Sequence, residues 1–193
     1  KLAVPCIISM LVTAIYNTAD TYFVSQINTS ASGAVGIVFS VMAIIQAFGF
    51  TMGVGSGSIA SQLLGKEERE QANVYATTGV VMALSFGLAL CIGGLANIDR
   101  VIWLLGSTET IYPYALEYAR YILLGSPVMI LSFTMNNLMR WQGKANLAVF
   151  GLAAGGILNI FGDYFLVVKM NMGVYGAGLA TAVGAEIIEG LKY

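Results

Sequence analysis

Asp20 and Asp163 are carboxylates set inside apolar stretches that carry almost no other charge. An ionisable group in hydrocarbon is costly, and by default it marks an ion, proton or substrate pathway. Each acid has polar company at helical spacing. Thr13, Tyr16, Asn17 and Asp20 recur at i, i+3, i+4 and i+7, which places them on one helix face. Asn159 stands four residues before Asp163, one turn away on the same face. Carboxylate, amide and hydroxyl oxygens suit a proton or a hard cation such as Na⁺. Burial disfavours the charged form of a carboxylate, and a second acid nearby disfavours it again, so such a pair could load and release a proton. The bland alternative is that each Asp hydrogen-bonds a neighbouring backbone group or Asn side chain and serves packing alone.

The scaffold around these groups is membranous. Hydrophobic residues make up 58% of the 193 residues and charged residues 10%, against about 25% charged in a soluble domain. Charge-free stretches run through 21–65, 71–98, 121–139, 145–162 and 170–185. A spanning helix needs about 20 mostly apolar residues. The fold class is therefore all-α, a polytopic six-helix membrane bundle. A membrane β-barrel would alternate apolar and polar residues, and these runs are continuous. A net charge of −1 leaves no footprint for nucleic acid, and the absence of histidine removes imidazole catalysis. Cys6 and Cys91 are too few for a disulfide framework. No nucleophile–base or metal motif points to an enzyme, no cofactor is implied, and no cleavable signal peptide is visible.

The expected spans are about 2–26, 32–64, 71–95, 111–140, 145–168 and 173–190, with a short interfacial helix at 101–105. Pro5 and Pro127 are the expected bend points. Tyr112, Tyr114, Tyr118 and Tyr121 read as an aromatic belt, with Glu117 and Arg120 as an ion pair in the headgroup zone. Lys1, Lys66, Arg69, Arg140, Lys144 and Lys192 fall on one side, so the positive-inside bias makes both termini cytoplasmic in a multi-pass plasma-membrane (inner-membrane) protein. Asp20 and Asp163 each lie about six residues from the outer end of their span, roughly 9 Å deep, and Thr181 on the returning span 6 lies roughly 12 Å deep. Two acids from different helices are thus expected in one layer. Gly49, Gly53, Gly57 and Ser61 form a small face on span 2, Gly151 and Gly155 another, and Gly176, Ala180 and Gly184 a third. In lipid such faces let helix backbones approach closely.

The stretches Leu2-Ala3-Val4-Pro5, Ile15-Tyr16-Asn17-Thr18-Ala19-Asp20-Thr21-Tyr22-Phe23-Val24, Ala60-Ser61-Gln62-Leu63-Leu64-Gly65, Arg140-Trp141-Gln142-Gly143-Lys144, Ile157-Leu158-Asn159-Ile160-Phe161-Gly162-Asp163 and Tyr175-Gly176-Ala177-Gly178-Leu179-Ala180-Thr181 resemble, in order and spacing, the N-terminal lobe of prokaryotic multidrug and toxic compound extrusion (MATE) transporters. The resemblance covers residues 1–184 and leaves 185–193 as a divergent or artefactual tail. It implies alternating-access export of small organic cations or drugs across the lipid bilayer, coupled to H⁺ or Na⁺. It further implies a cation or proton site at Asp20, Asn159, Asp163 and Thr181, and a partner in a missing C-terminal lobe or a second copy. The chain would then be a fragment or half-transporter. The alternatives are a flippase for lipid-linked saccharides of related fold and a non-transporting membrane assembly protein. The first would want a more cationic cavity than Arg120 alone supplies.

Overall fold

The computed structural model describes the backbone of residues 3–26 and 28–190, and their side chains except at 3–6, 9, 10, 16 and 182–190. The apolar runs fold into α1 (Ala3–Ser25), α2 (Thr29–Gly65), α3 (Arg69–Ala96), a short α4 (Ile98–Leu104), α5 (Tyr112–Trp141), α6 (Ala145–Asp163) and α7 (Gly173–Gly190). A π-helical segment, Tyr164–Lys169, continues α6. A helix lies within a few residues of each expected span, and α4 overlaps the short helix expected at 101–105. The backbone of α7 continues to Gly190; the side chains of the expected tail, and residues 191–193 altogether, lie outside the described residues.

The ends of the elements follow local chemistry. Asn28 caps α2, its Oδ1 accepting the Ala31 N–H at 2.6 Å; this satisfies one of the donors a helix start leaves open. The α2–α3 turn places Glu67 at φ 65, the α5–α6 turn places Gly143 at φ 80, and the turn before α7 uses Asn171 at φ 56 and Gly173 at φ 62. Among the described residues, α2, α3, α5 and α6 with its π extension are each long and apolar enough to cross a membrane. At 37 residues α2 runs about 55 Å, well beyond about 30 Å of hydrocarbon, so it must tilt or project.

Helix α5 is the hub. It packs on α2 and α3 on one side and on α7 on the other, while α1 rests mainly on α6. The glycine stripe of α2 is the α5 contact. A Cβ added at Gly53 would lie 2.6 Å from the Asn137 Cβ and 2.9 Å from the Thr134 carbonyl. Only glycine leaves room for that approach, and Thr134 Oγ1 then donates across it to the Gly49 carbonyl at 3.1 Å. On α3, a Cβ at Gly87 would meet the Pro127 Cα at 2.5 Å.

Pro127 lies inside α5, which stays helical through it. Its missing N–H frees the Leu123 carbonyl, and the Ser126 hydroxyl donates to that oxygen at 2.7 Å. Pro5 lies near the start of α1 as described; its side chain lies outside the described residues. The expected ion pair is corrected: Glu117 and Arg120 are both exposed and do not pair with each other or with any other described residue.

Candidate cation site

Four helices converge on one buried polar cluster. α1 supplies Asp20, α6 supplies Asn159 and Asp163, α7 supplies Thr181, and α5 supplies Tyr118. Asp163 and Tyr118 are fully buried; Asp20, Asn159 and Thr181 are nearly so. Each acid lies within the electrostatic reach of the other, and Tyr118 lies within reach of both and of Thr181. The structure thus brings together all four residues expected from the sequence.

Helical phase explains the inward aim. On α6 the buried positions are Ala145, Ala148, Leu152, Gly155, Gly156, Asn159 and Asp163, a stripe at steps of three and four. Asp163 is the last residue of regular α-helix, and the π-helical segment starts at Tyr164. Such segments are frequent at functional sites. The packing of α7 against this segment is tight, since a Cβ at Gly176 would lie 2.9 Å from the Leu166 Cβ.

The hydrogen bonds show which oxygens are spent and which are free. The Tyr118 hydroxyl donates to Asp20 Oδ2 at 2.7 Å. Asn159 donates through Nδ2 to the Thr181 hydroxyl at 3.2 Å, and Thr181 passes its own proton to the Ala177 carbonyl at 3.1 Å. That chain leaves the amide oxygen of Asn159 as an acceptor. Asp20 Oδ1, Asn159 Oδ1 and both carboxylate oxygens of Asp163 are buried and receive no donor among the described residues.

Buried polar atoms are almost always satisfied, and each exception needs an explanation. Here every unsatisfied atom is an oxygen acceptor, and two of the three side chains are carboxylates. A carboxylate in this setting is relieved by a proton or by a bound cation. Carboxylate, amide and hydroxyl oxygens are the donor set of hard cations, not of soft transition metals.

The rest of the expected polar face divides. Thr13 is half-buried, and the side chain of Tyr16 lies outside the described residues. Asn17 lines a groove between α1 and α2 with Thr18, Thr21, Tyr22, Ser25 and Phe39. The direct hydrogen bond to Asp20 comes from Tyr118, which sequence reasoning placed in the aromatic belt. A signal for it existed. The exposed stripe of α5 is Pro113, Glu117, Arg120 and Leu124, and Tyr118 falls with buried Ala115, Ala119 and Ile122.

Comparison with known proteins gives a consistent result. The MatE family model matches residues 5–165. The multidrug export protein MepA of Staphylococcus haemolyticus (strain JCSC1435) is 26% identical over 186 residues, covering 96% of this chain and 41% of that protein. MepA of Staphylococcus aureus (strain MRSA252) is 26% identical over 182 residues, 94% of this chain and 40% of its own length. Among solved structures, an outward-facing multidrug resistance MATE family transporter of the MOP superfamily superposes with a TM-score of 0.93 at 30% identity, over 98% of this chain and 42% of that one. A MOP superfamily transporter from Pyrococcus furiosus Vc1 (DSM3638), for which reversed polarity of the binding pocket suggests a different function, gives 0.92 at 30% identity, covering 98% and 42%. The chain spans about two-fifths of the length of the relatives it matches.

Proposed function

The chain belongs to the MatE family, and from that premise we propose that it forms the N-terminal lobe, residues 1–184, of a cation-coupled exporter of small organic cations or drugs. It would work in the plasma membrane with both termini cytoplasmic, opposite a second lobe or a second copy. H⁺ or Na⁺ would occupy the cluster of Asp20, Asn159 and Asp163, with Thr181 holding the Asn159 amide in its accepting orientation.

The single observation that carries this reading is the set of four buried acceptor oxygens without donors. They come from two helices, α1 and α6. Unfilled, the two carboxylates repel each other across the α1–α6 contact. Filled, a shared cation or proton removes that repulsion and draws the helices together. Helix α1 rests mainly on α6 and is tied to the hub helix by the Tyr118–Asp20 bond, so occupancy bears directly on where α1 sits. A shift of α1 would alter the groove it forms with α2, and in this way an ion could bias the side to which a drug path opens. Alternating access is the expected consequence.

The test is Asp20→Asn in the complete gene product, at matched membrane expression. Ethidium efflux is expected to fall to the level of cells lacking the transporter. Efflux at the wild-type rate rejects the coupling role. Replacing Na⁺ by choline at fixed pH then separates the two ions.

A further inference from the structure

The groove on the exposed face of α5 has a charge arrangement that the cation site does not use. Pro113, Leu116, Glu117, Arg120 and Tyr121 line a depression of about 290 Å³. Glu117 and Arg120 are one turn apart, both exposed, and not ion-paired to any described residue. Opposite charges one turn apart on a helix can pair; here both stay open toward the same groove.

The depth of the groove is set by helix length. α5 has 30 residues, about 45 Å, some 15 Å more than the hydrocarbon it must cross. With Arg140 and Trp141 at one boundary, the surplus is about ten residues at the other end, which takes in Glu117 and Arg120. Aromatic residues mark the same level. The Trp103 ring of α4 stacks on Tyr112 with centroids 5.3 Å apart, and the Tyr112 hydroxyl donates to Asp99 Oδ1 at 2.5 Å. Tyr121 meets Tyr175 of α7 edge to face at 4.7 Å and closes one wall of the groove. Trp and Tyr collect where headgroups lie.

We propose that this groove binds the headgroup of a zwitterionic phospholipid carrying a primary ammonium, a phosphoethanolamine lipid of the leaflet at this end of α5. Arg120 takes the phosphate, which its planar guanidinium can grip with two parallel N–H donors. Glu117 takes the ammonium as a hydrogen-bond acceptor. An anionic headgroup without an ammonium would face Glu117 unfavourably, and a quaternary ammonium has no N–H to give it. The complementarity is of one cation and one anion on each partner, so the helix holds two charges in the headgroup layer without pairing them internally.

The experiment is native mass spectrometry of the complete gene product released from mixed micelles containing equal amounts of short-chain phosphatidylethanolamine, phosphatidylcholine and phosphatidylglycerol. The wild type is expected to retain phosphatidylethanolamine roughly fivefold over the other two, the ratio a partly exposed charge contact supplies. Arg120→Gln is expected to abolish that retention, and Glu117→Gln to remove the preference over phosphatidylcholine. Equal retention of the three lipids by the wild type overturns the proposal, as does an intact preference in either variant. Both side chains are exposed, so neither variant threatens the fold. Ethidium efflux in Glu117→Gln, measured alongside, keeps this result separate from that of the cation site.

Discussion

The two sides of the hub helix α5 are built on opposite rules. On one side α2 and α3 meet it backbone to backbone, through Gly53 against Thr134 and Asn137 and through Gly87 against Pro127. Among the described residues no buried side-chain polar atom there lacks a partner: Thr134 bonds the Gly49 carbonyl, and the Ser126 hydroxyl donates to the carbonyl that Pro127 frees. On the other side, among α1, α6 and α7, four oxygen acceptors are buried with no donor. The first side is closely packed and resists deformation, as dense interiors do. The second holds buried acceptors that a proton or a cation would satisfy. The contrast teaches that this chain keeps its satisfied and its unsatisfied buried polar groups in separate helix sets, joined by the Tyr118–Asp20 bond across α5.

The largest break in that contrast comes from filling the tight side. Gly53→Leu places a branched side chain where a Cβ alone would already lie 2.6 Å from Asn137. It is expected to destabilise the lobe by about 3 kcal/mol or more, read as a sharp loss of folded protein in a detergent melting series, whatever ion is present. A wild-type melting curve would show that α2 and α5 can part without penalty, and the division would fail.

A smaller effect is expected from Tyr118→Phe. It removes the donor from Asp20 Oδ2 and leaves both oxygens of that acid bare, a cost of about 1–3 kcal/mol. The expected signature is destabilisation that shrinks when Asp20→Asn is added, because the amide brings its own donor. Equal costs in the presence and absence of Asp20→Asn would show that the hydroxyl does not act through the carboxylate.

The smallest expected effect sharpens the comparison from the rigid side. Ser126→Ala costs about 1 kcal/mol by leaving the Leu123 carbonyl and one contact to the Gly87 carbonyl unmade. Melting should drop slightly, and efflux by the complete gene product should stay near wild type. A strong efflux defect at normal stability would place the α3–α5 contact among the moving parts.

Much of this architecture was legible beforehand, for a physical reason. A helix that crosses lipid must be long and apolar, so apolar runs located the helices to within a few residues, and steps of four between Gly49, Gly53 and Gly57 revealed a close-packed face. Asp20 and Asp163 stood out because charge in such runs is expensive. What faces what was harder to read. Tyr118 belongs to a run of four tyrosines that composition assigns to the aromatic belt, and only its rotation about the α5 axis separates it from exposed Arg120, two residues away. Glu117 and Arg120 have the spacing of an ion pair and do not form one, because an exposed pair gains little against the entropy of fixing two long side chains.

By itself the sequence determined the class, the helix boundaries to within a few residues, the glycine contact face and the identity of the two acids, since each rests on local hydrophobicity or helical period. Tertiary structure decided that Asp20 is held by a tyrosine from α5, that the Asn159 amide is turned by Thr181 to leave its oxygen accepting, and that regular α6 gives way to a π-helical segment directly after Asp163. Those features depend on which helices are neighbours and at what rotation, and that is settled by packing over the whole bundle, which no single stretch of residues encodes.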